Sequence, residues 1–162
     1  MTPNLDITII PETDRWQAAL PNYIPIIENV VEITLLEVGH PLNNTELSVV
    51  LADDEFLQRF NAQYRGKDHP TNVLSFPADK SVEFADNIDN LGDILISLST
   101  LEWEATEQGK SLESHFKHML IHGVLHLLGY DHQADDEAEK MENLEITILQ
   151  SLGIENPYEQ KI

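Results

Sequence analysis

The sequence predicts a single α+β domain, with a sheet of roughly four strands and about five helices packed on it. Three observations carry this expectation. The chain has 162 residues, the size of one ordinary domain and enough to bury a core without cross-links. Hydrophobic residues make up 41% and charged residues 23%, a balance that sets it apart from disordered chains. Apolar positions alternate in several short stretches and recur with helical period between them. No internal repeat, low-complexity tract or linker divides the chain, so residues 1–162 are read as one unit.

In chain order, Leu5, Ile7 and Ile9 alternate with Asp6, Thr8 and Ile10 and predict a first strand. Trp16 to about Val38 has a helical pattern, broken near Pro21 and bent near Pro25. Residues 39–44 form a loop, after which Leu47, Val49 and Leu51 predict a second strand. Asp53 and Asp54 suit a helix start, with Phe56, Leu57 and Phe60 as its apolar face. Residues 71–76 predict a third strand ending at Pro77, and residues 78–90 are acidic and without period. Leu91 to Ser97 predict the fourth strand. Ser99 and Glu102 have capping-box spacing for the next helix, which Gly109 ends. A helix from about Leu112 to Leu128 follows. The last helix runs from about Asp135 to Leu152, with Met141, Leu144, Ile148 and Leu152 as its inner stripe.

Composition narrows the chemistry. With no cysteine, the fold does not depend on disulfides, and a transition metal would be held by nitrogen and oxygen ligands. The opening MTPNLDITII has neither a basic segment nor a long apolar run, so no signal peptide is expected. No stretch approaches the roughly 18 apolar residues of a membrane span. Nine basic residues against 29 acidic ones give a net charge of −20, which on average repels nucleic acid. A local cationic cleft, or a bound metal ion, would override that field locally.

The most informative segment is HGVLHLLGYDH at residues 122–132. His122 and His126 fall one turn apart on one helical face, a spacing that lets two imidazoles converge on one ion. Gly129 is suited to end the helix by adopting a left-handed conformation, after which the chain turns back and offers His132 as a third ligand. Three protein ligands with one open position is the pattern of a catalytic zinc site. From Met119 to Leu128 every residue except His122, Gly123 and His126 is apolar, so this helix is expected to be buried. An ordinary buried histidine satisfied by a core hydrogen bond is the bland alternative, and it fits a lone histidine better than this constellation. His115 and His118 share the same arc of about 80° on the helical wheel. Spacing alone therefore also allows His118 with His122 as the ligand pair; the Gly129 turn favours His122 with His126. His118 is read as supporting the site or lining its cleft, and His115 as lying near the surface. Imidazole ligands also suit nickel or copper.

The same spacing matches the zinc motif of metzincin peptidases, which place a glutamate general base directly after the first histidine. Here that position is Gly123, so the peptidase reading is weakened. A mid-helix glycine costs about 1 kcal/mol against alanine, and its structural explanation is close packing against a neighbouring element. Asp131 is the nearest candidate for a general base, but beside His132 it is read first as orienting a ligand or fixing the turn.

A second unusual stretch, residues 61–77, concentrates Arg65, Lys67 and His69 in a chain poor in basic groups. By itself it is a turn between a helix and a strand; beside a metal, an arginine there would clamp a phosphate through bidentate hydrogen bonds.

Taken together, YRGKDHPTNVLSFP at 64–77, LGDI at 91–94 and HGVLHLLGYDH at 122–132 resemble the YbeY family of bacterial endoribonucleases, also called rRNA maturation factors. The resemblance spans about residues 46–152. It implies a cytoplasmic single-domain metalloprotein with one zinc on His122, His126 and His132, and Arg65 as the important arginine of the cleft. It further implies action on single-stranded RNA, maturation of ribosomal RNA (notably the small-subunit 3′ end) and ribosome quality control. Small-subunit proteins and an assembly GTPase are the implied partners. Asn72 stands where many members carry aspartate, and is expected to be tolerated. The acidic surface suits basic ribosomal proteins at least as well as RNA and predicts weak affinity for naked RNA. A non-catalytic assembly factor with a structural zinc is the competing expectation.

Overall fold

In the computed structural model, residues 5–79, 88–131 and 133–158 are described. Ten elements follow one another: β1 (Leu5–Pro11), α1 (Arg15–Ala19), α2 (Tyr23–Glu37), β2 (Thr45–Ala52), α3 (Asp54–Arg65), β3 (Val73–Pro77), β4 (Asp89–Ser97), α4 (Leu98–Gln108), α5 (Leu112–Leu127) and α6 (Asp135–Ser151). The sheet has the order β1-β2-β4-β3. The first three of these strands run parallel, and β3 pairs antiparallel with β4 at the edge.

The four strands and the α+β class match the sequence expectation. The described residues form six helices, because Pro21 separates α1 from α2. Pro25, where a bend was expected, lies inside the uninterrupted helix α2. It is the third residue of α2, where a backbone N–H has no intrahelical acceptor, so the ring costs nothing there. Residues 80–87 of the acidic stretch lie outside the described residues, and β4 begins two residues earlier than expected.

Strand pleating sends alternate side chains to opposite faces. On one face Leu47, Val49 and Leu51 of β2 join Ile94 and Ile96 of β4 in the main core. Helices α2 and α5 close it with Ile27, Val31, Leu35, Phe116, Leu120 and Val124, all fully buried. Trp16 anchors α1 there, packing its ring at 5.2 Å from that of Phe116 at a tilt of 51° and donating its indole N–H to the carbonyl of Ala52 at 2.9 Å. On the other face Ala52, Leu57, Leu74 and Leu95 form a smaller core under α3, with Phe56, Phe60 and Phe76 packed around it.

The expected Ser99–Glu102 capping box does not form. Helix α4 begins at Leu98, and the Ser99 amide is capped by the Asp53 carboxylate at 3.0 Å, from the loop between β2 and α3. The same carboxylate accepts from the Asp54 amide at 2.9 Å and pairs with Arg15, which in turn reaches Glu102 at 3.1 Å. Burial alone would raise the pKa of Asp53; the hydrogen bonds from Ser99 and Asp54 and the Arg15 charge outweigh it and hold the carboxyl below its usual range.

Candidate metal centre and its approach

Helix α5 carries the histidines, and its position is fixed from both ends and from below. Ser111 caps its first turn by accepting from the Ser114 amide at 3.1 Å. At the other end the Tyr130 amide bonds to the Leu125 carbonyl at 3.0 Å and the Gly129 amide to the His126 carbonyl at 3.0 Å. With Gly129 at φ +99°, this is the glycine-terminated turn expected from the sequence. Beneath the helix, Gly123 meets the sheet so closely that an added Cβ would lie 3.0 Å from Cγ2 of Ile94. The mid-helix glycine is thus explained by packing, and position 123 faces the sheet.

His122 and His126 project together on the half-buried side of α5. Their rings are 4.5 Å apart and nearly perpendicular, and their Nε2 atoms lie 3.0 Å from each other. Two ligands of one tetrahedral zinc, each at ~2.0–2.1 Å, are separated by ~3.3 Å. The pair therefore fits a shared ion with a shift of a few tenths of an ångström. The third expected ligand, His132, lies outside the described residues, and among the described residues no group of three ligating side chains is placed to hold a metal. Asp131 is half-buried at the end of the turn.

The other two histidines of the arc are both buried, which corrects the expectation that His115 lies near the surface. His115 pairs with Glu104 of α4 at 2.9 Å. His118 pairs with Glu145 of α6 at 2.8 Å. Burial disfavours the charged imidazole and lowers the pKa of His118, although Glu145 opposes this.

Glu145 is the residue that sequence reasoning missed. It is 1% exposed and lies on the inner face of α6 between Met141 and Leu149. Its Oε1 faces His118 Nε2 at 2.8 Å, His122 Nδ1 at 3.3 Å and the Tyr158 hydroxyl at 3.1 Å. Burial by itself would raise its pKa, but the hydrogen bonds from the two histidines and their charge bring it down to about 2. The same burial and the neighbouring carboxylate push the Tyr158 phenol up. The signal in the sequence was a glutamate spaced i+4 from Met141 and i−4 from Leu149, in a helix that must cover a histidine-bearing one.

Arg65 ends α3 on the opposite face of the sheet, exposed, with Gly66 turning the chain in the left-handed conformation. Its neighbour Tyr64 meets Phe76 of β3 at 5.5 Å. The next residue inward, Ser75, donates to the carbonyl of Gly123, between the two histidines, at 3.1 Å. The end of α3 and the histidine pair therefore flank the same stretch of the edge strand from its two faces. The loop after Arg65 is held by Asn61, whose amide donates to the His69 carbonyl at 2.9 Å. At the loop's end Asn72 donates to both oxygens of Glu104 at 3.1 and 3.3 Å and lies 3.3 Å from the sulfur of Met119. A carboxylate at position 72 would face Glu104 without a proton to share, so asparagine suits this site.

Fold and site define a one-domain α+β protein with two converging histidines on a buried helix beside an edge strand. The chain matches the family described as Endoribonuclease YbeY over residues 9–153, and it belongs to that family. The Endoribonuclease YbeY of Paramagnetospirillum magneticum is 44% identical over 162 residues, covering 98% of each chain. That of Francisella tularensis subsp. mediasiatica is 50% identical over 128 residues, covering 78% of this chain and 79% of its own. Among solved structures, the solution structure of TM1509 from Thermotoga maritima is similar with a TM-score of 0.52 at 25% identity, covering 95% of this chain and 99% of that one.

Proposed function

We propose that this chain is a metal-dependent endoribonuclease that cuts single-stranded RNA in ribosomal RNA maturation, with His122, His126 and His132 holding one zinc ion. The observation that carries the reading is the 3.0 Å approach of the His122 and His126 Nε2 atoms beside the edge strand that Arg65 flanks. Family membership supplies the reaction class. A zinc ion bound there would supply Lewis acidity and would lower the pKa of a bound water toward ~7.

The chain's own residues do the rest. The Arg65 guanidinium binds the phosphate through paired hydrogen bonds and stabilises the charge that grows as the P–O bond breaks. Lys67 adds a second cation two residues on in a chain whose net charge is −20. Ser75 ties the histidine helix to the edge strand through the Gly123 carbonyl. The peptidase alternative loses ground, because a glutamate at position 123 would be driven into Ile94.

The cellular setting that accompanies this reading is the cytoplasm, with the small-subunit rRNA 3′ end as substrate and small-subunit proteins and an assembly GTPase as partners. Among the described residues, no helix is long and apolar enough to cross a membrane. The acidic surface favours docking on basic ribosomal proteins over capture of naked RNA. The test is metal analysis and cleavage of a single-stranded RNA by wild type and His126→Ala, both purified free of contaminating nucleases. The variant should lose zinc and activity together. An active, metal-free His126→Ala protein would overturn the assignment. A wild type that needs zinc to fold but cuts no RNA would favour the structural-zinc assembly factor instead.

A further inference from the structure

A carboxylate has no reason of packing to occupy the inner face of α6. Met141, Ile148 and Leu149 fill the neighbouring inward positions, and a leucine at 145 would continue the stripe. Burying a carboxylate costs free energy unless partners satisfy it, and apolar replacement of buried polar clusters is often neutral or stabilising. The partners of Glu145 are therefore informative. All of them face the site: His118 one turn before His122, His122 itself, and Tyr158 from the segment after α6.

We propose that Glu145 is a positioning residue for the metal centre: it holds Nδ1–H of His122, and thereby turns the Nε2 of that ring toward the Nε2 of His126. The proposal rests on the reading of His122 and His126 as metal ligands. An ionised carboxylate only accepts hydrogen bonds, so the His122 nitrogen that faces it carries the proton. The opposite ring nitrogen, Nε2, is then the one with a lone pair for a cation, and it is the one 3.0 Å from His126. The 3.3 Å separation from Glu145 is at the long end for such a bond, and Oε1 shares its acceptor capacity with His118 and Tyr158. Those two donors clamp the carboxylate from two other directions, so it does not rotate away from His122. The arrangement is that of a ligating histidine whose second nitrogen is held by a buried carboxylate, where loss of the outer partner typically weakens metal binding 10–100-fold.

Two measurements test it. Long-range 1H–15N spectra of the metal-free wild type report the tautomer of His122 directly. Nδ1–H is expected, and Nε2–H overturns the proposal without any variant. The second measurement is the zinc dissociation constant of metal-free protein, titrated with zinc chloride against a chromophoric chelator. Glu145→Leu, folded by circular dichroism, should bind zinc about 10–100-fold more weakly and show a mixture of His122 tautomers. Glu145→Gln, which keeps one acceptor oxygen, should fall between it and the wild type. Unchanged affinity and tautomer in folded Glu145→Leu overturn the proposal. Should Glu145→Leu not fold, the same reading is taken from Glu145→Gln, where wild-type affinity overturns it. A wild type that takes up no zinc refutes the metal centre, while its His122 spectrum still decides separately whether Glu145 holds that ring.

Discussion

Gly123→Ala sets two known effects against each other. In an exposed helix the change would stabilise by about 1 kcal/mol through helix propensity. Here the new methyl would lie 3.0, 3.3 and 3.4 Å from Cγ2, Cδ1 and Cγ1 of Ile94. Ordinary carbon contacts sit at roughly 3.5–4.0 Å, so about half an ångström must be found. Ile94 is fully buried on β4, which is paired on both sides by β2 and β3, and has nowhere to recede. Overpacking of this kind costs about 1–3 kcal/mol. The net expectation is a destabilisation of up to about 2 kcal/mol. Urea unfolding of the metal-free protein, with unchanged slope, measures it. Ile94→Ala removes all three opposing atoms, so the double variant should be more stable than the sum of the singles by at least ~1 kcal/mol. A Gly123→Ala protein stabilised by the full propensity gain, or singles that simply add, would refute the packing account.

Other perturbations give equally definite outcomes. The folded pKa of Glu145 is about 2 against an ordinary 4.5, so its contribution to stability is present above pH 4.5 and is lost as pH falls toward 2. At ~1.4 kcal/mol per pKa unit the contribution is at most roughly 3 kcal/mol. Glu145→Gln should flatten the stability–pH curve in that window, and parallel curves would contradict it. The lowered pKa of buried His118 works earlier: below pH 6.5 the unfolded chain takes up a proton the folded one resists, so stability declines there too, and His118→Gln should remove that decline. Gly92→Ala would set a Cβ 2.1 Å from the Phe76 carbonyl oxygen at a φ of +123°, peeling β3 from β4. A melting temperature lowered by about 10 °C or more is expected, and a drop under 3 °C would count against the geometry. Arg65→Ala should keep its zinc and slow RNA cleavage by about 100-fold or more; zinc loss in that variant would mean that Arg65 supports the metal site.

Much of this arrangement was legible from residue pattern. Alternation marked the first two strands and short apolar runs the other two, Pro21 marked the helix break, and Gly129 marked the turn after the histidines, because each is a local constraint on the backbone. What stayed hidden was non-local. The inner stripe of α6 read from Met141, Leu144, Ile148 and Leu152 does face the core, with Met141 and Ile148 buried and Leu144 and Leu152 packed at its rim, but Glu145 and Leu149 face inward as well. Hydrophobicity alone gave no reason to place a carboxylate on that face, because its partners are histidines of another helix. His115 looked like a surface residue near a helix start, and only its pairing with Glu104, eleven residues back, shows why it is buried. Strand order was likewise unreadable, because the position of β3 outside β4 depends on a pairing that no short pattern encodes.

The Asp53 corner carries a consequence for how the molecule assembles. Helix α4 borrows its opening cap from a segment 46 residues earlier, so its first turn is completed only once the β2–α3 corner is in place. That helix in turn supplies Glu104, which grips both His115 and Asn72. Asp53 is thus linked, through one helix, to the two segments that carry His115 and Asn72. Loss of the Asp53 carboxylate should therefore loosen the start of α4 and, through Glu104, the surroundings of Asn72 and His115, far from the position changed.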